Sequence, residues 1–328
     1  MAATEGLALV ELDDDGVATA FRADVLAGLS QEQKAVPARW FYDEAGSRLF
    51  EDITRLPEYY PTRAETEILS DRCEEFRDLI GPGRAVVEFG SGSSVKTPLL
   101  LGCIEPAAYV PLDISGDFLR ESANDLAAKF PGLPVHPVEA DFMRVVELPN
   151  EVKDMPKLGF FPGSTIGNMV ARTAVDLLRS MRDTLGKGSK LLIGMDLVKD
   201  SAVLEAAYDD EQGVTAAFNL NLATRINREL GGTIPIEKLR HVARWNDTFS
   251  RIEMHLEATE DVAFEVSGRR FRMAAGETIH TENSHKFSLR SQNTLLLAGG
   301  WTPTRRWTDG EERFSLILAD WTIPRGAP

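Results

Sequence analysis

Cysteine is nearly absent: Cys73 and Cys103 are the only two in 328 residues. Two are too few for a disulfide framework, and neither stands in a paired metal spacing. The histidines, His136, His241, His255, His280 and His285, show no such spacing beyond His280-x-x-x-x-His285. One pair of that kind does not define a metal site, so no metal is expected. No stretch approaches the roughly 20 apolar residues that cross a bilayer. The acidic opening MAATEGLALVELDDDG lacks the basic start and apolar run of a signal peptide. A basic excess is also missing. Lys and Arg total 36 against 51 Asp and Glu, a formal charge of −15, and no basic stripe is visible. Nucleic acid is therefore excluded as a partner, and an acidic surface favours solubility. The expectation is a cytoplasmic monomer with neither membrane nor nucleic-acid partners.

What is present is a globular composition, 43% hydrophobic and 27% charged, without internal repeats or low-complexity tracts. The first sixty residues read as helix and loop, ending in LPEYYPTR, Leu56 to Arg63. A helix is predicted from Ala64 to Leu79, stopped by Gly81-Pro82-Gly83. Short apolar runs then alternate with helical spacing. Strands are expected at Ala85–Phe89, Ala108–Leu112, Val135–Val138, Leu158–Phe161 and Leu191–Met195. Helices are expected at Phe118–Phe130 and around Ala174–Leu185, the latter closed by Gly186. That rhythm implies parallel βαβ units with ligands at the carboxyl ends of the strands. After Asp200 it changes to two helices, Ala202–Tyr208 and Val214–Leu230, and a strand-rich stretch, His241–Met273, with a turn at Ser267-Gly268. Two closing strands, Gly300–Trp307 and Arg313–Trp321, are expected to form a hairpin at Asp309-Gly310. The reading is α/β: a doubly wound sheet domain interrupted by a second unit.

The most informative segment is VVEFGSGSSVKT, Val86 to Thr97. A strand delivers the chain to Gly90 and Gly92, whose missing side chains admit a ligand to the backbone. Asp113 ends the next strand, where a carboxylate suits a ribose diol. A nicotinamide cofactor wants G-x-G-x-x-G, and Val95 occupies the third glycine position. A nucleoside triphosphate wants G-x-x-x-x-G-K-[ST], which fits Gly90 to Thr97 except again at Val95, a place the phosphate cradle requires to be glycine. LLIGMD, Leu191 to Asp196, mimics the accompanying magnesium-binding strand. S-adenosylmethionine has no phosphate and tolerates Val95, and the acidic Glu88 before the loop suits its cationic methionine end. Asp141-Phe142, closing the third strand, offers a carboxylate and a ring face near an adenine. The competing reading makes Asp141 a helix N-cap and Phe142 core.

VVEFGSGSSVKT, together with LPEYYPTR, FFPGSTIGN, MDLVKD, AYDDEQGVTAAFN and RIEM, resembles the bacterial histidine Nα-methyltransferases of ergothioneine biosynthesis. The likeness runs from about Trp40 to the final strand. It implies a Rossmann-like class I methyltransferase sheet with a second α+β substrate-binding domain built from the N-terminal segment and a central insertion. The implied domains are 1–63 with 198–286 for the amino acid, and 64–197 with 287–328 for S-adenosylmethionine. The implied reaction adds three methyl groups in succession to the α-amine of histidine, giving histidine betaine. By resemblance, Gly90, Lys96, Asp113, Asp141 and Phe142 hold the donor. Tyr59, Asn168, Tyr208, Glu282 and Ser284 hold the amino acid, with Tyr42, Phe50, Gly163, Thr215 and Met254 close by.

These residue types suit that chemistry. The Asn168 amide both donates and accepts, and the tyrosines offer hydroxyls to a carboxylate. Glu282 and Ser284, two apart in an extended segment, face the same way and could bind the two nitrogens of an imidazole. The bland alternative is that both face solvent. Tyr42, Tyr59 or a water could relay the amine protons. Three other functions compete: a methyltransferase for tryptophan or another aromatic amino acid, a nucleoside-triphosphate hydrolase, and a non-catalytic amino-acid-binding protein.

Overall fold

A computed structural model describes residues 14–92, 96–114 and 116–321; Val95, on which the choice of loop ligand turned, lies outside them. The chain divides into two compact units. Among the described residues, one comprises Pro61–Leu197 and 287–321; the other comprises 14–60 with Val198–Lys286.

The first unit is a seven-stranded sheet. In chain order its strands are β2 (Ala85–Phe89), β3 (Ala108–Asp113), β4 (Val138–Glu139), β5 (Lys157–Phe161), β6 (Lys190–Asp196), β12 (Thr302–Thr308) and β13 (Phe314–Asp320). The spatial order is β12-β13-β6-β5-β2-β3-β4. β2 to β6 pair in parallel, while β13 runs antiparallel to β6 and to β12. The apolar runs have the physical cause expected of a covered sheet: alternate residues of each strand feed two cores. Val87, Phe89, Val110, Leu112 and Ile193 pack in one; Val86, Tyr109, Phe160 and Leu192 pack in the other. From β2 the chain steps outward to β3 and β4, then returns to β5 on the opposite side. The order therefore reverses beside β2, where such sheets bind ligands.

Several expectations are corrected here. The helix read from Ala64 to Leu79 is two, α3 (Tyr60–Asp71) and α4 (Cys73–Ile80), divided at Arg72. The strand read at Val135–Val138 shrinks to β4 and one bridge at Val135, because Pro134 and Pro137 supply no backbone N–H. The Asp309-Gly310 turn is a longer loop. The buried Asp309 accepts from the N–H groups of Arg313 and Phe314, each at 2.7 Å. An additional helix, α10 (Leu289–Ala298), carries a reciprocal Ser288–Ser291 cap. The two cysteines are bonded to each other, joining α4 to α5 (Thr97–Ile104) across Cα atoms 5.3 Å apart. No described helix is long and apolar enough to cross a membrane.

The second unit holds α1 (Asp14–Leu29), α2 (Glu44–Thr54), α8 (Ser201–Ala206) and α9 (Val214–Leu230). Its sheet, in the order β1-β11-β8-β7, consists of β1 (Lys34–Ala35), β7 (Leu239–Asn246), β8 (Arg251–Ala258) and β11 (Thr278–His285). The two-residue β1 is not visible in the sequence pattern. Ile252, Met254 and Leu256 of β8 and Ile279 of β11 share a core with Phe218, Leu222 and Ile226 of α9. Asp210 caps α9, its two oxygens accepting from Val214 N at 2.9 Å and Thr215 N at 2.7 Å. The separate hairpin β9 (Val262–Val266) and β10 (Arg269–Met273) turns at Ser267-Gly268, both at positive φ.

Candidate functional site

In the first unit, the residues expected to hold the donor collect at the carboxyl ends of β2, β3 and β4. Gly90 has φ +76°, and a Cβ there would stand 3.5 Å from the Phe142 ring. A side chain at this position would be strained by that φ and would rest against the ring. Asp113 Oδ2 accepts from Gly92 N at 3.1 Å, so the ribose-type carboxylate also anchors the glycine turn. Phe142 is half-buried and meets Phe89 and Phe161 edge-on, with centroids 6.2 and 6.1 Å apart. Asp141 Oδ1 accepts from Met143 N at 3.0 Å in a turn, not at the start of a helix.

Glu88, read as a partner for the methionine end, lies at the foot of the loop. It is buried, and its Oε2 accepts from Thr97 Oγ1 at 2.7 Å and Tyr109 Oη at 2.5 Å. That oxygen ties the start of α5 to β3.

A second acid beside the loop is Glu65, which the sequence reading passed over. It is fully buried on α3. Its Oε2 lies 2.5 Å from Lys96 Nζ and accepts from Gly163 N at 2.9 Å. Its Oε1 is buried without a hydrogen bond among the described residues. A Cβ at Gly194 would collide with that oxygen, so the glycine makes room for the carboxylate. Gly163, at φ +77°, opens the turn that leads into a short 3-10 helix, Thr165–Asn168. Nothing local in the sequence links residues 65, 96 and 163.

In the second unit, Tyr59, Tyr208, Thr215, Met254, Glu282 and Ser284 come together with Tyr42 and Phe50. A run of rings connects them. Phe50 meets Tyr42 at 5.6 Å and Tyr59 at 6.2 Å, and Tyr59 meets Tyr208 at 6.2 Å. Tyr208 Oη lies 2.6 Å from Ser284 Oγ. The buried Lys286 donates to both, at 3.0 and 2.8 Å. Met254, the cross-strand partner of Glu282, and Thr215, in the first turn of α9, are also buried.

Glu282 and Ser284 do not face solvent. β11 carries a bulge between His280 and Glu282: His280 pairs with His255, Glu282 pairs with Met254, and Thr281 is the extra residue. Strict alternation would place Glu282 opposite in facing to the core residue Ile279. The bulge turns it, and Ser284 after it, onto the side of Met254 and Ile252. Ser284 is 3% exposed, while Glu282 keeps a partly accessible side chain. Burial pushes the Glu282 carboxyl up to about 7, opposed only by the Lys286 ammonium.

On the other face of that sheet, Glu253, His255 and His280 bring three potential ligand atoms within 4.8 Å. The histidine rings stack at 4.7 Å. Arg251 binds Glu253 Oε1 through two nitrogens, and Arg244 Nη2 lies 3.1 Å from His255 Nε2. These guanidinium groups already neutralise the carboxylate and repel a cation. His280 pairs across strands with His255.

The sequence matches the model of a histidine-specific, S-adenosylmethionine-dependent methyltransferase family over residues 21–321. It is 41% identical over 312 residues to the histidine N-alpha-methyltransferase of Mycolicibacterium smegmatis, covering 93% of this chain and 96% of that one. Identity to the enzyme of the same name from Mycobacterium tuberculosis is 40%, over 94% and 97% of the two chains. Ergothioneine biosynthesis protein 1 of Neurospora crassa is 31% identical, over 87% of this chain and 33% of its own length. A glycine turn over an aromatic ring at the sheet's reversal point, in a chain this similar throughout, identifies the protein as a member of the S-adenosylmethionine-dependent, histidine-specific methyltransferase family.

Proposed function

We propose that this methyltransferase trimethylates the α-amino group of L-histidine, giving histidine betaine, as the first step of ergothioneine biosynthesis. The observation that carries the reading is the bulge-set pair of Glu282 and Ser284 on one strand face, a carboxylate beside a hydroxyl on the side of the core residues Met254 and Ile252. An imidazole offers one N–H donor and one bare nitrogen, and this pair supplies the matching acceptor and donor. An indole offers a single N–H and would leave one of the two protein groups unmatched.

Bound S-adenosylmethionine supplies a methyl group on a sulfonium centre, open to in-line attack by an amine lone pair. The residues assigned to it are Gly90, Lys96, Asp113, Asp141 and Phe142. Asp113 fits a ribose, Phe142 an adenine face, and Gly90 leaves the backbone open between them. Asn168 is assigned to the substrate's amine and carboxylate, with the Tyr59 and Tyr208 hydroxyls offered to the carboxylate and Gly163 close by. The Asn168 side chain has no hydrogen-bond partner among the described residues, which leaves its amide available. The amine must lose a proton before each of the three transfers. Tyr59, whose ring meets that of Tyr208, is assigned that relay; Tyr42 stands one ring further off, beyond Phe50. The aromatic faces favour the cationic product.

The test is mass spectrometry of a mixture of free amino acids incubated with enzyme and donor. The expected result is histidine carrying one, two and then three added methyl groups. Tryptophan as the preferred substrate, or no modified amino acid at all, would overturn it.

A further inference from the structure

Lys96 stands at the entrance to α5, where a positive charge opposes the helix dipole. Its side chain makes no capping hydrogen bond there, and the first turn of α5 holds no acid to offset it. The offset comes from another element: Glu65 of α3 meets Lys96 Nζ at 2.5 Å. The pair is lopsided. The Glu65 side chain is sealed at 0% exposure, while that of Lys96 keeps 16%. The ammonium is the member a ligand can reach, and the carboxylate stands behind it.

The same carboxylate ties down the turn after β5, accepting from Gly163 N at 2.9 Å. β2 and β5 are parallel neighbours, so the glycine loop and this turn leave the same edge of the sheet side by side. Packing there is close: a Cβ on Gly163 would stand 3.5 Å from Lys96 Nζ. Holding the Gly163 N–H needs only a neutral acceptor, which a glutamine would supply as well. A buried carboxylate is costlier, the more so as its Oε1 lies without a hydrogen bond among the described residues. What the carboxylate adds is charge, and the charge it meets is that of Lys96.

We propose that Glu65 is a positioning residue for the methyl donor: it fixes the Lys96 ammonium at the end of the glycine loop and cancels its charge, so that the site accepts a sulfonium. This rests on the assignment of Lys96 to S-adenosylmethionine above. An ammonium alone would attract a ligand's carboxylate but repel its sulfonium. With the acid behind it, the N–H donors remain and the repulsion is removed. A structural pin and a charge-balancing one are separable, because S-adenosylmethionine carries the sulfonium charge and S-adenosylhomocysteine, its demethylated form, does not.

The experiment is titration calorimetry of both ligands against wild type, Glu65→Gln, Lys96→Met and the double variant, with a cooperative urea transition confirming the fold of each. The quantity read is the affinity for S-adenosylmethionine divided by that for S-adenosylhomocysteine. Glu65→Gln leaves the lysine charge bare and is expected to lower the ratio about fivefold or more, the effect of one partly screened charge. Lys96→Met leaves the acid alone, so it should weaken both ligands and raise the ratio. The double variant should bind both weakly, with the ratio back within about twofold of wild type. An unchanged ratio in Glu65→Gln, even with both affinities reduced, makes Glu65 a structural pin and overturns the proposal while the donor site stands. If Glu65→Gln does not fold, Lys96→Met decides, and an unchanged ratio there overturns it equally. Wild-type affinity for both ligands in Lys96→Met removes Lys96 from the donor site, and the proposal falls with that assignment.

Discussion

The carboxylate of Glu65, buried on α3, lies 2.5 Å from the ammonium of Lys96 and shares its bonded oxygen with the Gly163 N–H. One acid therefore holds the end of the glycine loop and the turn after β5 together. Removing one partner of such a pair strands the other. The Lys96 side chain is 16% exposed, so water relieves part of that cost. Glu65→Ala should lower stability by about 3 kcal/mol. The Glu65→Met, Lys96→Met double variant should lose less than the sum of the single changes. Urea midpoints with an unchanged slope check this. A Glu65→Ala midpoint indistinguishable from wild type would contradict it.

Asp113 both anchors Gly92 and is assigned to the ribose. Asp113→Ala should therefore weaken donor binding by about 1.5–3 kcal/mol, the range for a hydrogen bond to a charged group. Titration calorimetry with S-adenosylhomocysteine measures it, with ATP and magnesium as the control. Unchanged affinity would remove Asp113 from the donor site. Binding of ATP as tight as that of the donor product would contradict the loop assignment.

Two titratable groups predict opposite pH dependences of stability. Burial, then the charges of His280 and Arg244, press His255 from 6.5 to about 4. Its contribution is present above pH 6.5 and lost as pH falls through 4. Burial lifts Glu282 from 4.5 to about 7. Its contribution is present below pH 4.5 and lost as pH rises through 7. Each window is worth about 3 kcal/mol. The slopes overlap and oppose one another, so wild type alone shows little. Measured between pH 4 and 8, Glu282→Gln should gain on wild type as pH rises, while His255→Gln should fall further behind it. Curves parallel to wild type for both variants would contradict these shifts.

The α/β fold was legible because its signals are local: apolar runs of strand length, glycine stops and a glycine turn after β2. What escaped depends on distance or on register. Glu65 carries no pattern that connects it to Lys96 or Gly163. Cys73 and Cys103, two residues without a spacing motif, meet only because α4 and α5 lie side by side. Pro134 and Pro137 cut a strand that hydropathy alone prolongs. The most consequential case is Thr281. Period two correctly puts Glu282 and Ser284 on one face, but which face depends on the extra residue before them, and a bulge leaves no mark in hydropathy. Solvent was the natural reading for a Glu-Asn-Ser-His run, and the register reverses it.

Glu282 is predicted to set the preference for histidine. A buried carboxylate meeting an imidazole N–H makes a charge-assisted bond that an apolar side chain cannot replace. Losing it leaves the substrate's N–H unpaired, at about 1–3 kcal/mol, or roughly five- to a hundredfold in specificity. The decisive measurement is kcat/KM of wild type and Glu282→Ala on histidine, tryptophan and phenylalanine. Wild type is expected to prefer histidine, and the substitution to cut histidine turnover by that factor while barely slowing the other two. An equal loss on all three, or a wild type that prefers tryptophan, would contradict it.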